Sequence, residues 1–280
     1  MPSTLTKILL KPYSNSLMKN EVFKGSRFWN WFKYDLTQMW RNHMFAALGI
    51  GLSGLIVYIV TVSYNLLVNG QWQGSNGDFR IAVFILAFIA LELYQTSTYG
   101  YLTKKKEGSA WLMAPASGLE KWTSMLINTL IVIPALFFIV FLGTDWLITL
   151  VDNTGGKSIL FSLSGIWSEV TTAIHNEDVN FNMWTVAWFF ISSFCVNFLY
   201  FLLSGLVFKK HKIIWGIVAL MVISSVLTFI FSRIGWNVNT EFMAGTHNAR
   251  ALMNVFSACM TTAALCLAGG VYYRIKTIKH

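Results

Sequence analysis

The chain has 280 residues, 55% of them hydrophobic and only 12% charged, with a formal net charge of +9. A soluble domain carries roughly twice that charged fraction, which excludes an ordinary soluble enzyme or binding module. Apolar runs of about 20 residues recur, the length that crosses a bilayer core of about 30 Å, and they lack the roughly ten-residue alternation of an outer-membrane barrel. The composition points to an all-α integral membrane protein in contact with the lipid bilayer.

Residues 1–25 form a polar, basic, cytoplasmic N-terminal segment with no apolar signal-peptide core, so the first hydrophobic helix is expected to direct insertion. Residues 26–43, SRFWNWFKYDLTQMWRNH, follow a helical period. Phe28, Phe32, Leu36, Met39 and Trp40 recur every three or four residues, with Trp29 beside them, while Lys33, Asp35, Gln38 and Arg41 occupy other faces. The pattern predicts an amphipathic connecting helix on the cytoplasmic surface, serving as a membrane anchor or as a lever leading into the first span.

Six transmembrane helices are expected, at 44–68, 81–102, 125–148, 183–208, 213–231 and 251–273, forming one domain over 44–273 with a short cytoplasmic tail at 274–280. Six spans put both termini on one side. Of the 21 lysines and arginines, all but Arg80, Lys157, Arg233 and Arg250 fall on that side, so both termini are expected to be cytoplasmic. The positive charge is then an orientation signal. The basic residues flank spans and form no separate domain, so no nucleic-acid partner is expected. Trp40, Trp72, Trp111, Trp122, Trp146, Trp184, Trp215 and Trp236 all fall near span ends, as expected for an interfacial belt. The longest connection is the outer loop 151–182, with one short helix expected at SGIWSEVTTAI; a second outer stretch lies at 233–250.

Motifs for chemistry are sparse. NTGGKSIL at 153–160 ends like a phosphate-binding P-loop, but Val151 stands where that motif requires glycine. His43, His175, His211, His247 and His280 lie in different connections without ligand spacing, and no metal site is expected. Cys195, Cys259 and Cys266 lie in apolar runs and read as small hydrophobes. GIGLSG at 49–54 has no partner base for its serine and reads as a close-packing site. No catalytic residue is expected. Asp145, near the end of the third expected span, is counted with the outer-side acids, which leaves Glu92 as the one acid placed inside a span, so it should face protein or a water path. With Gln95 and Tyr99 it forms the candidate translocation or gating path; a helix–helix hydrogen-bond network is the structural alternative.

The connection after the second span reads YLTKKKEGSAWLMAPASGLEKW. LTKKK marks the membrane edge. Pro115 stops any helix, Ser117 is placed to cap the next, and Glu120 three residues later completes a capping box. So much punctuation suits a rigid docking surface better than a passive linker.

This stretch, with Pro115, Ala116, Ser117, Glu120 and Lys121, resembles the cytoplasmic loop of type-2 ABC exporter permeases of bacteria. The same family has an amphipathic helix before span one, six spans and cytoplasmic termini, so the resemblance covers most of the chain. It implies a permease in the bacterial cytoplasmic (inner) membrane that binds no cofactor itself, with ATP and Mg held by separate ABC ATPase subunits. It implies pairing with a second permease subunit, identical or not. It also implies a coupling segment at 103–121 in which Lys106, Glu107, Trp111, Pro115, Ser117, Glu120 and Lys121 contact the ATPase. One departure is that 233–250 is short and polar for the re-entrant pair found in that family. A free-standing secondary transporter or channel, or a membrane sensor, stays open at this point, and the sequence does not specify a substrate.

Overall fold

The computed structural model describes residues 23–72, 74, 77–103, 108, 111, 113–152, 159, 183–233 and 246–278, and all secondary structure among them is helical. Helix α1 spans Gly25–Gly51, α2 Ser53–Asn69 and α3 Gly77–Thr98, continued by a short 3-10 turn at Gly100–Thr103. Next come α4 (Gly118–Ile127), a π-helical turn (Asn128–Val132), α5 (Ile133–Val151), α6 (Met183–Val207), α7 (Lys212–Arg233) and α8 (Thr246–Thr277). Lys106, Glu107, Trp236 and nearly all of the 151–182 loop lie outside the described residues.

Among the described residues, four stretches are long and apolar enough to cross a membrane: Phe79–Thr103, Gly118–Val151, Trp184–Val207 and Met253–Thr277. They match the second, third, fourth and sixth expected spans. The first is broken, and Phe45–Gly51 and Ser53–Asn69 pass only together, bent by 55°. The fifth is represented by a shorter apolar stretch, Lys212–Val226.

The bend changes the reading of the N-terminal region. The boundary was expected near residue 43, yet α1 runs unbroken to Gly51 and the chain turns at Leu52. The glycines of GIGLSG account for this. A side chain at Gly51 would meet Val140 at 3.0 Å, and one at Gly54 would meet Phe141 at 3.2 Å. The bend lets the backbone pass close to α5, as small residues allow. Gly70, with φ of 65°, then ends α2 in the left-handed conformation that glycine adopts without a Cβ clash.

Helix α6 is central and packs most extensively on α8, with α3 and α7 on its other sides. Gly205 of α6 lies directly against the Thr96 carbonyl of α3, leaving no room for a Cβ. Two buried clusters fill the interior. One joins Trp31, Tyr99, Leu102, Trp111, Met125 and Leu202 at one end of the bundle. The other joins Leu91, Phe137, Phe141 and Phe198 deeper in the bundle.

The third span is continuous from Gly118 to Val151, 34 residues. At 1.5 Å per residue this is about 50 Å, so its first turns project beyond a hydrocarbon core of about 30 Å. The π-helical turn within it precedes Pro134, which has no N–H and crowds the preceding turn. Widening that turn accommodates the ring and leaves Asn128 aimed into the interior.

Candidate functional site

One end of the bundle, the end that holds the start of α1 and the 103–121 connection, is organised around one carboxylate. Trp31, Asp35 and Met39 recur at helical spacing and form the buried stripe of α1. Asp35, expected on a polar face, is 1% exposed. It can be buried because four donors from other elements converge on it. Tyr99 Oη (2.9 Å), Ser124 Oγ (2.6 Å) and Asn128 Nδ2 (3.1 Å) donate to Oδ2. Trp111 Nε1 donates to Oδ1 at 3.0 Å. Asn128 Nδ2 also donates to Tyr99 Oη at 2.9 Å, which closes the network. Burial pushes the Asp35 carboxyl above its ordinary value, and the hydrogen bonds from Ser124, Trp111, Tyr99 and Asn128 only partly pull it back.

A second tie lies one turn away. Ser117 and Glu120 form the expected capping box: the Glu120 amide donates to Ser117 Oγ (3.2 Å), and the Ser117 amide donates to Glu120 Oε2 (2.8 Å). The same carboxylate accepts from Arg27 Nε at 2.7 Å and from the Lys24 amide, the N-cap residue of α1, at 2.8 Å. Glu120 thus caps α4 and the start of α1 together. Lys121 places its ammonium over the rings of Trp31 (5.6 Å) and Trp111 (5.4 Å). Trp122 Nε1 donates to the Ala268 carbonyl at 2.9 Å and ties α4 to α8. Ser117→Ala, which removes one half of the box, is expected to destabilise the purified protein by about 1 kcal/mol, read as a lowered melting temperature.

These contacts revise the role expected for several residues. Trp111 is 2% exposed and belongs to the core, not to an interfacial belt. Ser117, Glu120 and Lys121 are also buried and act as internal ties. Pro115 is exposed, and Met113 is 82% exposed, so this part of the connection is available to a partner. Beside it lies a groove of about 640 Å³ between α1 and the connection, lined by Arg27, Asn30, Trp31, Tyr34, Pro115 and Ala116, among others.

The three candidate path residues separate. Tyr99 joins the Asp35 network. Glu92, half-buried, shares a hydrogen bond with Asn197 of α6. Gln95 is fully buried, and among the described residues neither atom of its amide group has a hydrogen-bond partner.

The opposite end of the bundle holds a cluster that sequence reasoning missed. Arg80 and Asp145 were read as outer-side charges, but both lie within helices and are buried. Arg80 Nε donates to Asp145 Oδ1 at 2.9 Å, and Arg80 Nη2 donates to Thr149 Oγ1 at 2.7 Å. The Ile159 amide donates to the other carboxylate oxygen at 2.7 Å. Tyr58 Oη donates to Asp152 at 2.9 Å nearby. The available signal was Asp145 itself, an acid inside the apolar run expected for the third span. Among the described residues, no three His, Cys, Asp or Glu side chains converge on a point that could hold a metal. No family model, curated protein or solved structure matches the chain.

Proposed function

We propose that this chain is the membrane-spanning permease subunit of an ATP-driven ABC exporter in a bacterial cytoplasmic membrane. In this reading it makes six spans, with α2 and the preceding bend as the first and α7 as the fifth, and the first part of α1 is the interface helix. Both termini are cytoplasmic, and a second permease subunit completes the path. Separate ATPase subunits carry ATP and Mg, and they dock at the groove beside Met113 and Pro115.

One observation carries the reading. The connection that forms the groove is bonded to α1 and to the start of the third span through Asp35 and Glu120. A push on the groove therefore moves α1 and the start of α4 together, because the shared carboxylates resist their separation. An element that two sites bias in common is what conformational coupling requires. Glu92 and Gln95 sit farther along α3, and in this reading they contribute to a polar path.

The test is isolation from native membranes in mild detergent, with the co-purifying proteins identified and ATPase activity measured. The wild type is expected to bring down a stoichiometric ATP-binding subunit. Met113→Arg, at a site exposed enough to tolerate charge, is expected to reduce its recovery at least about tenfold, since one displaced apolar contact and one buried charge exceed 1.4 kcal/mol. Absence of any ATP-binding partner, also in crosslinked membranes, overturns the reading in favour of a free-standing transporter or sensor.

A further inference from the structure

A second cleft, of about 630 Å³, opens farther along α1 than the groove, toward its C-terminal half. Gln38, Asn42 and His43 supply one wall, the end of α3 supplies Ser97 and Tyr101, and α7 supplies Lys212. None of these side chains is acidic, and every one offers an N–H or O–H donor. Lys212 is held at the cleft wall by the Gly100 carbonyl and by Thr103 Oγ1, the latter at 2.8 Å. Burial keeps His43 below its usual range, so near neutral pH it contributes one N–H and no charge. Arg41, Lys209 and Lys210 adjoin the lining residues in the chain and are exposed.

The position of the cleft is as informative as its lining. The apolar stretch of α1 begins at Phe45, two residues after His43, and that of α7 begins at Lys212 itself. Trp40 and Trp215, 44% and 52% exposed, stand two and three residues from Asn42 and Lys212 in the chain, and exposed tryptophan at the end of an apolar stretch is suited to the headgroup zone. A ring of donors around one lysine, at headgroup depth, is chemically suited to a phosphate group. Its volume exceeds that of a bare phosphate and lies within the range of ligand pockets.

We propose that this cleft binds the phosphate of an anionic phospholipid from the cytoplasmic leaflet, with Lys212, Gln38, Asn42 and Tyr101 as the contacting side chains. The lipid bridges α1 and α7 and so steadies the helix whose apolar stretch is the shortest. The proposal rests on the membrane character of the chain and is independent of the exporter reading.

The experiment uses the purified full chain in nanodiscs of phosphatidylcholine, with or without a minority of phosphatidylglycerol, and counts retained lipids by mass spectrometry. Enrichment of phosphatidylglycerol about fivefold over the bulk is expected, the ratio that one lysine near anionic lipid supplies. Lys212→Gln and Asn42→Trp, the second filling the cleft while leaving the Lys212 contacts in place, are each expected to return retention to the bulk ratio. Melting temperature in phosphatidylcholine alone confirms that both variants are folded. No enrichment in the wild type, or enrichment that survives both variants, overturns the proposal. Glycerol phosphate and inorganic phosphate are added separately to phosphatidylcholine nanodiscs. If they bind at the cleft while phosphatidylglycerol is not enriched, the ligand is a soluble phosphate and the lipid assignment fails.

Discussion

Asp35→Ala is expected to lower the melting temperature of the purified protein by about 10 °C, the largest effect of any single substitution at its end of the bundle. The carboxylate accepts from Tyr99, Trp111, Ser124 and Asn128, and all four donors are buried. The hydroxyls of Tyr99 and Ser124 can rotate to new acceptors, and Asn128 keeps its bond to Tyr99. The Trp111 indole N–H cannot turn away. A buried donor left unpaired costs about 1–3 kcal/mol, and the vacated carboxyl volume adds to it, giving about 3–5 kcal/mol in total. For a chain of this length each kcal/mol is worth about 2–4 °C. Asp35→Asn keeps one acceptor oxygen but turns an amide N–H₂ toward donors, so it should fall between alanine and wild type. A melting temperature for Asp35→Ala within about 2 °C of wild type would show that the network contributes nothing to stability.

The same residue sets a pH dependence. Folding raises the Asp35 carboxyl above its ordinary value of 3.8, because burial outweighs the four hydrogen bonds. Between 3.8 and the raised value, the folded protein holds this proton more tightly than the unfolded chain does. Stability must then decline as pH rises through that window and level off above it. Asp35→Asn removes this part of the slope. Melting curves from acid to neutral pH for both proteins decide the matter, and identical slopes would assign the titration to another group.

At the opposite end of the bundle the expected result is a rescue. Arg80→Ala or Asp145→Ala should each destabilise by about 3–5 kcal/mol, because each leaves a buried charge without its partner. Replacing both, as Arg80→Met with Asp145→Leu, should recover most of that loss, since the desolvation of both ions disappears with them. The arginine donates to the Asp145 carboxylate and to Thr149, and the Ile159 amide occupies the remaining carboxylate oxygen. A double variant as unstable as the two single losses summed would mean that the pair is not energetically coupled. The pair fastens α3 to α5 at the end of the bundle opposite the Asp35 network. The two fastenings therefore hold α3 at both ends, and Gln95 lies between them, its amide without a hydrogen-bond partner among the described residues.

Helical architecture was legible from the sequence because bilayer thickness imposes a length on every span, and four spans stand within a few residues of the expected positions except where one extends. That extension, back to Gly118, was itself signalled: the Ser117–Glu120 capping box depends on residues three apart and on nothing distant. The bend at Leu52 was less legible. GIGLSG announced close packing, but the place where α1 turns depends on where Val140 and Phe141 of α5 press against it.

The candidate site shows the same division. Local spacing identified the Ser117–Glu120 capping box, and the box is formed. The sequence offered no way to see that Trp111 and Lys121 point inward or that Glu120 reaches Arg27 and the Lys24 amide, some ninety residues earlier. Asp35 was read as a solvent-facing charge because helical periodicity alone places a lone acid on the polar face. Only the convergence of Tyr99, Trp111, Ser124 and Asn128, from elements 64 to 93 residues away, makes its burial affordable. The sequence by itself determined the solvent, the helices and the local caps, which follow from composition and short-range spacing. The tertiary structure alone decided which charges are buried, because a buried charge is tolerated only where distant partners meet it.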